Sequence, residues 1–492
     1  MTISMLVLVI AIVALILTGI FGFGLRRVDN WLVSFLQNFA GALFIFSGWV
    51  KAVDPLGTAY KMEQYFGEFE ATIAGTKMAG LASVFPWMAE YAIAFSVFMI
   101  VLEIVVGVML ILGYFREATS WIFLLTIVFF TILTGFTYLT GYVPGDVNFF
   151  QFSQWEGYVD TNMKVTDCGC FGDFIKLEPR TSFFKDIFLL IPSLIFVFWH
   201  KKMHQLFNSG TRTAITLITL AGLIVYCFSN YVWDLPHADF RPFREDVNVA
   251  ERLQLEKEAQ ENIQIIAFKL TNIESGQVVE LPYDQYLKEF KNYPKTEWES
   301  EQIQSEPTVP KTKISDFEVA DMEGNNATDE ILGYPEYQFM IVAYKLYGTE
   351  SSSVVTVNDT LWAVDTVLVA DTLKYVQSVE DIQKRQIEVP VYNWDAEHLA
   401  PWLGVVNPVL DEAISEGVRV IGVTAYTSSP RADDFRAASK SNYPFYGADD
   451  ILLKTIVRSN PGVVLMKDGL IIKKWHYKKL PSYAEIKQAY MN

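Results

Sequence analysis

Asp167-Cys168-Gly169-Cys170-Phe171-Gly172-Asp173 lies in a polar loop between two apolar runs, Thr119 to Gly141 and Phe183 to Trp199. It holds two of the chain's three cysteines, one residue apart. Each flanking run is near the roughly 20 residues that a helix needs to cross a hydrocarbon layer. Outward from this loop, the preceding chain reads as membrane. The following chain, after one more apolar run, reads as soluble.

Four apolar runs precede the loop: Ile3 to Phe23, Trp31 to Val53, Met88 to Tyr114 and Thr119 to Gly141. Two follow it, Phe183 to Trp199 and Ala214 to Val232. The pattern predicts about six membrane helices. No positive segment precedes the first run and no small-residue cleavage site follows it, so it is expected to be a retained helix rather than a signal peptide. Basic residues set the orientation. Arg26, Arg27, Arg116, Lys201, Lys202 and Arg212 fall in three short connections that form one set, expected to be cytoplasmic. The loop from Pro55 to Phe85, the Cys-Gly-Cys loop and everything after Trp233 are then outside, in the oxidising periplasm of a bacterial cell with the bundle in its inner membrane. Trp87, Trp121, Trp155 and Trp199 near the ends of runs fit an aromatic belt. Lys51 and Lys61 fall on the outer side, accompanied by Asp54, Glu63, Glu68 and Glu70.

The chain has 492 residues, is 51% hydrophobic and carries a formal charge of -17. The acidic residues lie mostly after Asp234, which argues against nucleic acid and against docking on anionic lipid. Three cysteines are too few for a disulfide-stapled scaffold.

Cys168 and Cys170 carry the sharpest chemical expectation. A thiolate attacks a disulfide and a neighbouring thiol resolves the product. Two cysteines one residue apart close a tight ring far from relaxed disulfide geometry, so such a bond is expected to be readily reduced. Three readings stay open: a redox pair, a structural disulfide, and a metal site. The last lacks a second Cys or His pair nearby to complete four ligands, so no metal is expected. Glu103, in the middle of the third run, is an ionisable group at a depth where it needs a partner or a cavity. Lys51 is its candidate partner, or else snorkels to the interface. The pair is a candidate for proton transfer or contact with a quinone, against a structural interhelix hydrogen bond. Cys227, in the sixth run, reads as a small packing residue. His200 and His204 flank a cytoplasmic connection and are expected at the surface. Asp54-Pro55 ends the second run. No Gly-rich phosphate loop or Ser-His-Asp set stands out.

Beyond Trp233, Asp246 to Glu261 reads as a charged linker helix and Ile263 to Phe268 as a strand before the turn Asn272 to Gly276. Polar Glu297 to Lys313 marks a boundary. Asp316 to Gly324 then reads as strand, turn, strand, and Phe339 to Leu346 as a buried strand. A long insert follows, with a strand at Leu361 to Val369. Asn407 to Glu416 is a helix capped by Gly417, Val418 to Thr424 a strand and Asp433 to Lys440 a helix. Pro461 to Met466 and Leu470 to Trp475 form a hairpin on Lys467-Asp468-Gly469, and Pro481 to Tyr490 is a closing helix. The expected fold is a multi-domain chain: a polytopic α-helical bundle followed by an α/β domain. The domains are 1–30, an N-terminal helix; 31–205, the bundle; 206–233, an additional helix; 234–313, a linker with a small β-containing region; and 314–492.

The bundle resembles the DoxX/MauE family of four-helix membrane proteins. The resemblance rests on Gly41 to Lys51, on Glu103 with Gly107 and Leu110 to Gly113 before Arg116, and on Cys168-Gly169-Cys170-Phe171-Gly172. It covers Asn38 to His200. It implies periplasmic disulfide handling or quinone-coupled chemistry, with Cys168 and Cys170 as redox pair or structural disulfide and Glu103 and Lys51 toward a quinone. Ile314 to Asn492 resembles thioredoxin-like domains of the TlpA or peroxiredoxin type, through Asp316-Phe317 with Gly324, the Val418 strand, and Pro461 in the place of the family's cis-proline. There Pro461 would shape an edge for a peptide or partner. The family's Cys-x-x-Cys is missing: Ala400-Pro401-Trp402-Leu403 enters the helix, and no cysteine follows Cys227. The whole looks like DoxX-family proteins of Bacteroidota that join this bundle to a degenerate thioredoxin domain.

Two functions follow as expectations. One is a membrane thiol–disulfide or quinone oxidoreductase. The other is a non-catalytic membrane subunit whose cysteine-free domain binds an envelope protein. A bundle that carries a small molecule or lipid is a third.

Overall fold

The computed structural model describes residues 2–165, 169–369 and 372–491. The chain divides into two compact units, Met1–Arg244 and Glu245–Asn492.

The first unit is helical: α1 (Ile3–Gly19), α2 (Trp31–Val53), α3 (Pro55–Ala74), α4 (Val84–Glu90), α5 (Ala92–Leu112), α6 (Arg116–Thr140), α7 (Pro179–Trp199) and α8 (Ser209–Phe228). Six stretches are long and apolar enough to cross a membrane: Ile3–Gly24, Trp31–Val53, Ala92–Leu112, Arg116–Thr140, Pro179–Lys202 and Ser209–Trp233. The helix starts are chemically marked. Asn30 accepts from the Val33 amide at 3.0 Å to cap α2, and Asn208 accepts from Thr211 at 2.8 Å to cap α8. Gly113, at φ +66°, ends α5 in the left-handed conformation that suits glycine.

α3 corrects the sequence reading, which left Pro55 to Phe85 as a loop. Asp54-Pro55 does end α2, but the same two residues start α3. The Asp54 carboxylate accepts from the Gly57 amide at 3.1 Å, and proline suits the first helical position. The helix buries Leu56, Ala59, Tyr65 and Phe66 on one side, while Glu63, Glu68 and Glu70 keep its hydropathy below that of a span. The long run from Met88 is likewise divided between α4 and α5.

α2 and α5 form the centre of the bundle. Small residues let them meet: a Cβ on Gly107 would stand 2.8 Å from the Gly41 carbonyl, and one on Gly41 would stand 2.8 Å from the Gly107 carbonyl. α1 packs on α2, α7 on α6 and α8 on α5.

The second unit opens with α9 (Val249–Glu261). β1 (Ile265–Asn272), β2 (Val278–Pro282), α10 (Tyr283–Glu289) and β3 (Trp298–Gln304) follow. The three strands form an antiparallel sheet in the order β2-β1-β3, over a small core of Phe268, Leu270 and Leu281. The segment read as a linker helix is tied into this unit. The Val249 amide donates to the Gly469 carbonyl at 2.8 Å, and buried Glu256 accepts from Arg252, Thr312 and Ser315.

Next come β4 (Val319–Ala320), α11 (Thr328–Leu332), β5 (Tyr337–Ala343), β6 (Gly348–Val369), β7 (Thr372–Trp394), α12 (Ala396–Pro401), α13 (Asn407–Ser415), β8 (Arg419–Ala425), α14 (Ser429–Ser439), β9 (Phe445–Ala448), α15 (Asp450–Ile456), β10 (Gly462–Lys467), β11 (Leu470–His476) and α16 (Tyr483–Tyr490). Six strands make a mixed sheet in the order β11-β10-β5-β8-β9-β4. β8 runs parallel to β5 and β9, while β10 is antiparallel to β5. The core gathers Phe339, Ile341, Trp402, Leu410, Phe435, Val463 and Leu465. The Asn460–Pro461 peptide leading into β10 is cis. Two sequence expectations change here. β4 is only two residues long, because the Asp321 carboxylate takes the Glu323 and Asn325 amides at 3.0 and 2.8 Å and turns the chain. The insert is one long antiparallel ribbon of β6 and β7. At its base Trp394 Nε1 donates to Asp434 at 2.7 Å and its ring meets Phe435 at 5.0 Å.

Candidate functional site

The site is built on the last turn of α2. Lys51 is 6% exposed and Glu103, from mid-α5, 2%. The two form an ion pair, and the ammonium stands 5.0 Å from the centroid of the Phe130 ring of α6. The alternative that Lys51 snorkels to the interface is therefore corrected: the carboxylate, one helix away, holds it inward. Each member supplies in an apolar bundle the partner that the other lacks.

A second, partly buried pair lies on α7. Lys185 bonds to Asp186, whose other oxygen accepts from Thr134 Oγ1 of α6 at 2.9 Å. Asp186 has no exposure.

The Cys-Gly-Cys loop rests on these elements. Ser47 Oγ of α2 donates to the Cys170 carbonyl at 2.9 Å. The Phe171 side chain is buried and meets Phe46 of α2 at 6.3 Å, while Phe174 meets the same ring at 5.7 Å. Gly169 and Gly172, at φ +62° and +51°, carry the left-handed turn that lets the loop fold back on α2. The Lys185 ammonium lies 6.0 Å from the Phe171 ring. Cys170 has no disulfide partner among the described residues and is partly buried. Burial pushes this thiol above its ordinary value. Lys185 opposes that most strongly and Lys51 also lowers it, whereas Asp186 and Glu103 add to the rise. Both ion pairs therefore act on one sulfur. Cys168 lies outside the described residues.

Lys51, Glu103 and Cys170, singled out in the sequence, thus belong to one neighbourhood. Cys227 and Pro461 do not. Cys227 is fully buried among Ile100, Ile104 and Ala52. Pro461 belongs to the second unit. Lys185, Asp186, Thr134 and Ser47 were overlooked. Two adjacent charges three residues inside the run from Phe183 were a usable signal, since ionisable groups within apolar spans are rare. His204 is a further correction. Expected at the surface, it is 1% exposed: its Nε2 and the Ile111 carbonyl are 2.9 Å apart, and its amide donates to Gln37 Oε1 at 3.1 Å. Polar side chains of α2 and free carbonyls at the end of α5 draw the connection into the bundle. Among the described residues no group of three or more His, Cys, Asp and Glu is arranged to hold a metal.

Residues 29–144 match the family model for methylamine utilisation protein MauE. The matched segment runs from the cap of α2 to just beyond α6. It contains Ser47, Lys51, Glu103 and Thr134. It stops short of the Cys-Gly-Cys loop and of α7, so it is narrower than the expected stretch from Asn38 to His200. No curated protein and no solved structure matches the chain. With six helices long and apolar enough to cross a membrane, and a stretch that matches the MauE model, this is a multi-pass membrane protein in contact with the lipid bilayer.

Proposed function

We propose that the membrane unit exchanges thiols and disulfides at Cys168 and Cys170, on the periplasmic side of a bacterial inner membrane. The observation that carries this reading is the seating of Cys170. Ser47 fixes its carbonyl on α2, and two ion pairs on three helices, one buried and one partly buried, bear on its sulfur. A loop held only for stability has no need of three buried charges and a fourth that is half-buried, which are expensive in a membrane bundle.

The step balances without an external group. A thiolate of a periplasmic dithiol attacks the Cys168–Cys170 disulfide, forming a mixed disulfide and releasing one cysteine as a thiolate that takes up a proton. The dithiol's second thiolate then attacks its own sulfur in the mixed disulfide, which frees the other cysteine. The dithiol is oxidised to a disulfide and the pair is reduced by two electrons. Restoring the pair needs an oxidant of the quinone class, which accepts two electrons and two protons when bound. The donor set suits one: among the described residues Lys51 has Glu103 as its hydrogen-bond acceptor, so its remaining N–H groups suit a carbonyl oxygen, with the Phe130 ring beside it.

A second reading has its own support. The chain has three cysteines, none after Cys227, and the mixed sheet of the second unit fits the thioredoxin-like resemblance. That unit, without thiol chemistry, then serves as a binding platform for an envelope partner, and the protein as a membrane subunit. One experiment separates the two. Thiols are tagged with a mass-shifting maleimide in intact membranes after a reductant or a short-chain quinone. Under the exchange reading, Cys168 and Cys170 gain tags with the reductant and lose them with the quinone. If both resist mild reductant and tag only after denaturation and full reduction, they are a structural staple and the subunit reading stands.

A further inference from the structure

Thiol exchange needs sulfur as thiolate, because the thiol is a poor nucleophile. Cys170 is poorly placed for that, since burial disfavours the anion. Four charged groups act on it electrostatically: Lys185 and Asp186 from α7, Lys51 from α2 and Glu103 from α5. Lys51 and Glu103 are committed to each other. Lys185 is likewise paired with Asp186, and of the two cations it is the one beside the ring of Phe171, next to Cys170 in the chain.

Its pose is the telling feature. Lys185 is six residues from Pro179, where α7 begins. A lysine so near a helix end ordinarily extends its stem to water. Here the side chain is only 19% exposed and its ammonium turns toward the ring of Phe171, the residue after Cys170. Asp186 holds it there, and Asp186 is in turn held by Thr134 at 2.9 Å. A chain of contacts thus runs from α6 through α7 to the loop.

We propose that Lys185 is a positioning residue that stabilises Cys170 as a thiolate, kept in place by Asp186 and Thr134. This rests on the thiol-exchange reading. The effect is local: the sulfur's proton leaves to water, and the neighbouring ammonium offsets the new negative charge in a medium where such attraction is strong.

The test uses the full chain in native membranes, with Cys168→Ser and Cys227→Ser so that Cys170 is the thiol read. Alkylation by iodoacetamide is followed against pH. The expected result is that Lys185→Met slows alkylation at neutral pH roughly tenfold, as one pKa unit would, and moves the profile to higher pH. Lys185→Arg should restore most of the rate. A Lys185→Met profile that superimposes on its parent overturns the proposal. Should Lys185→Met fail to accumulate, Thr134→Val probes the same link from α6: slower alkylation supports it, and an unchanged rate overturns it. The reaction needs neither partner nor quinone. A protein whose cysteines never cycle would therefore fail the tagging experiment while this measurement still returned its own answer.

Discussion

A buried ammonium next to a buried carboxylate, as at Lys51 and Glu103, is stable only as a pair. Glu103→Gln should therefore leave a charge inside the bundle and destabilise the membrane unit by about 3–5 kcal/mol. The double replacement Lys51→Met with Glu103→Leu should recover most of that loss. Thermal unfolding in mild detergent checks both, and an undiminished single variant would contradict the expectation. These two residues were legible in the sequence because each interrupts an apolar stretch. Lys185 and Asp186 interrupt one as well, but their proximity to Cys170 depends on how the loop folds back onto α2, which spacing along the chain does not encode. His204 was misread for a related reason. A histidine among lysines looks solvated until Gln37 and the end of α5 supply its partners.

At the scale of elements, the apolar runs were readable because membrane spans announce themselves by composition. α3 was not, since a helix that carries Glu63, Glu68 and Glu70 among its apolar residues resembles an exterior loop. The α2–α5 contact depends on glycine. Gly107→Val should push the two helices apart, since backbone stands 2.8 Å from where its Cβ would be. The expected outcome is loss of monodisperse protein on extraction, whereas Gly80→Ala, which meets nothing nearby, should extract like the parent. In the second unit, α9 is clamped through Glu256. Burial works to raise the pKa of this carboxyl, but hydrogen bonds from Ser315, Thr312 and Arg252 outweigh it and hold the group below its ordinary 4.5. A group depressed on folding stabilises above its unfolded pKa, and that contribution fades as pH falls through the folded value. Glu256→Ala should cost about 1–3 kcal/mol near neutral pH, because Thr312 and Ser315 lose their buried acceptor. The gap from the parent in urea midpoint should close as the pH drops below 4.5.

For the molecule as a whole, each unit has its own core, Phe44 and Phe123 with their neighbours in one and Phe339 and Trp402 in the other. A fragment of residues 245–492 should fold in water and unfold cooperatively, as a unit with a separate core does. Circular dichroism on heating checks this, and a fragment lacking a transition would contradict it. In that unit β5, β8, β10 and β11 were readable from their buried runs and hairpin turn, whereas β3, read as a polar boundary, and β9 were missed, and the ribbon was not seen whole because its alternating polar residues resemble an extended linker. That ribbon pairs 22 residues of β6 with 23 of β7 in a sheet of just those two strands. In such a ladder the backbone of every second residue faces its partner and the next faces away. Amide protons along the ribbon should therefore exchange with deuterium at alternating rates, slow and fast with a period of two. The record would be a comb of protected and labile sites, within a unit whose central strand β5 is protected on both sides.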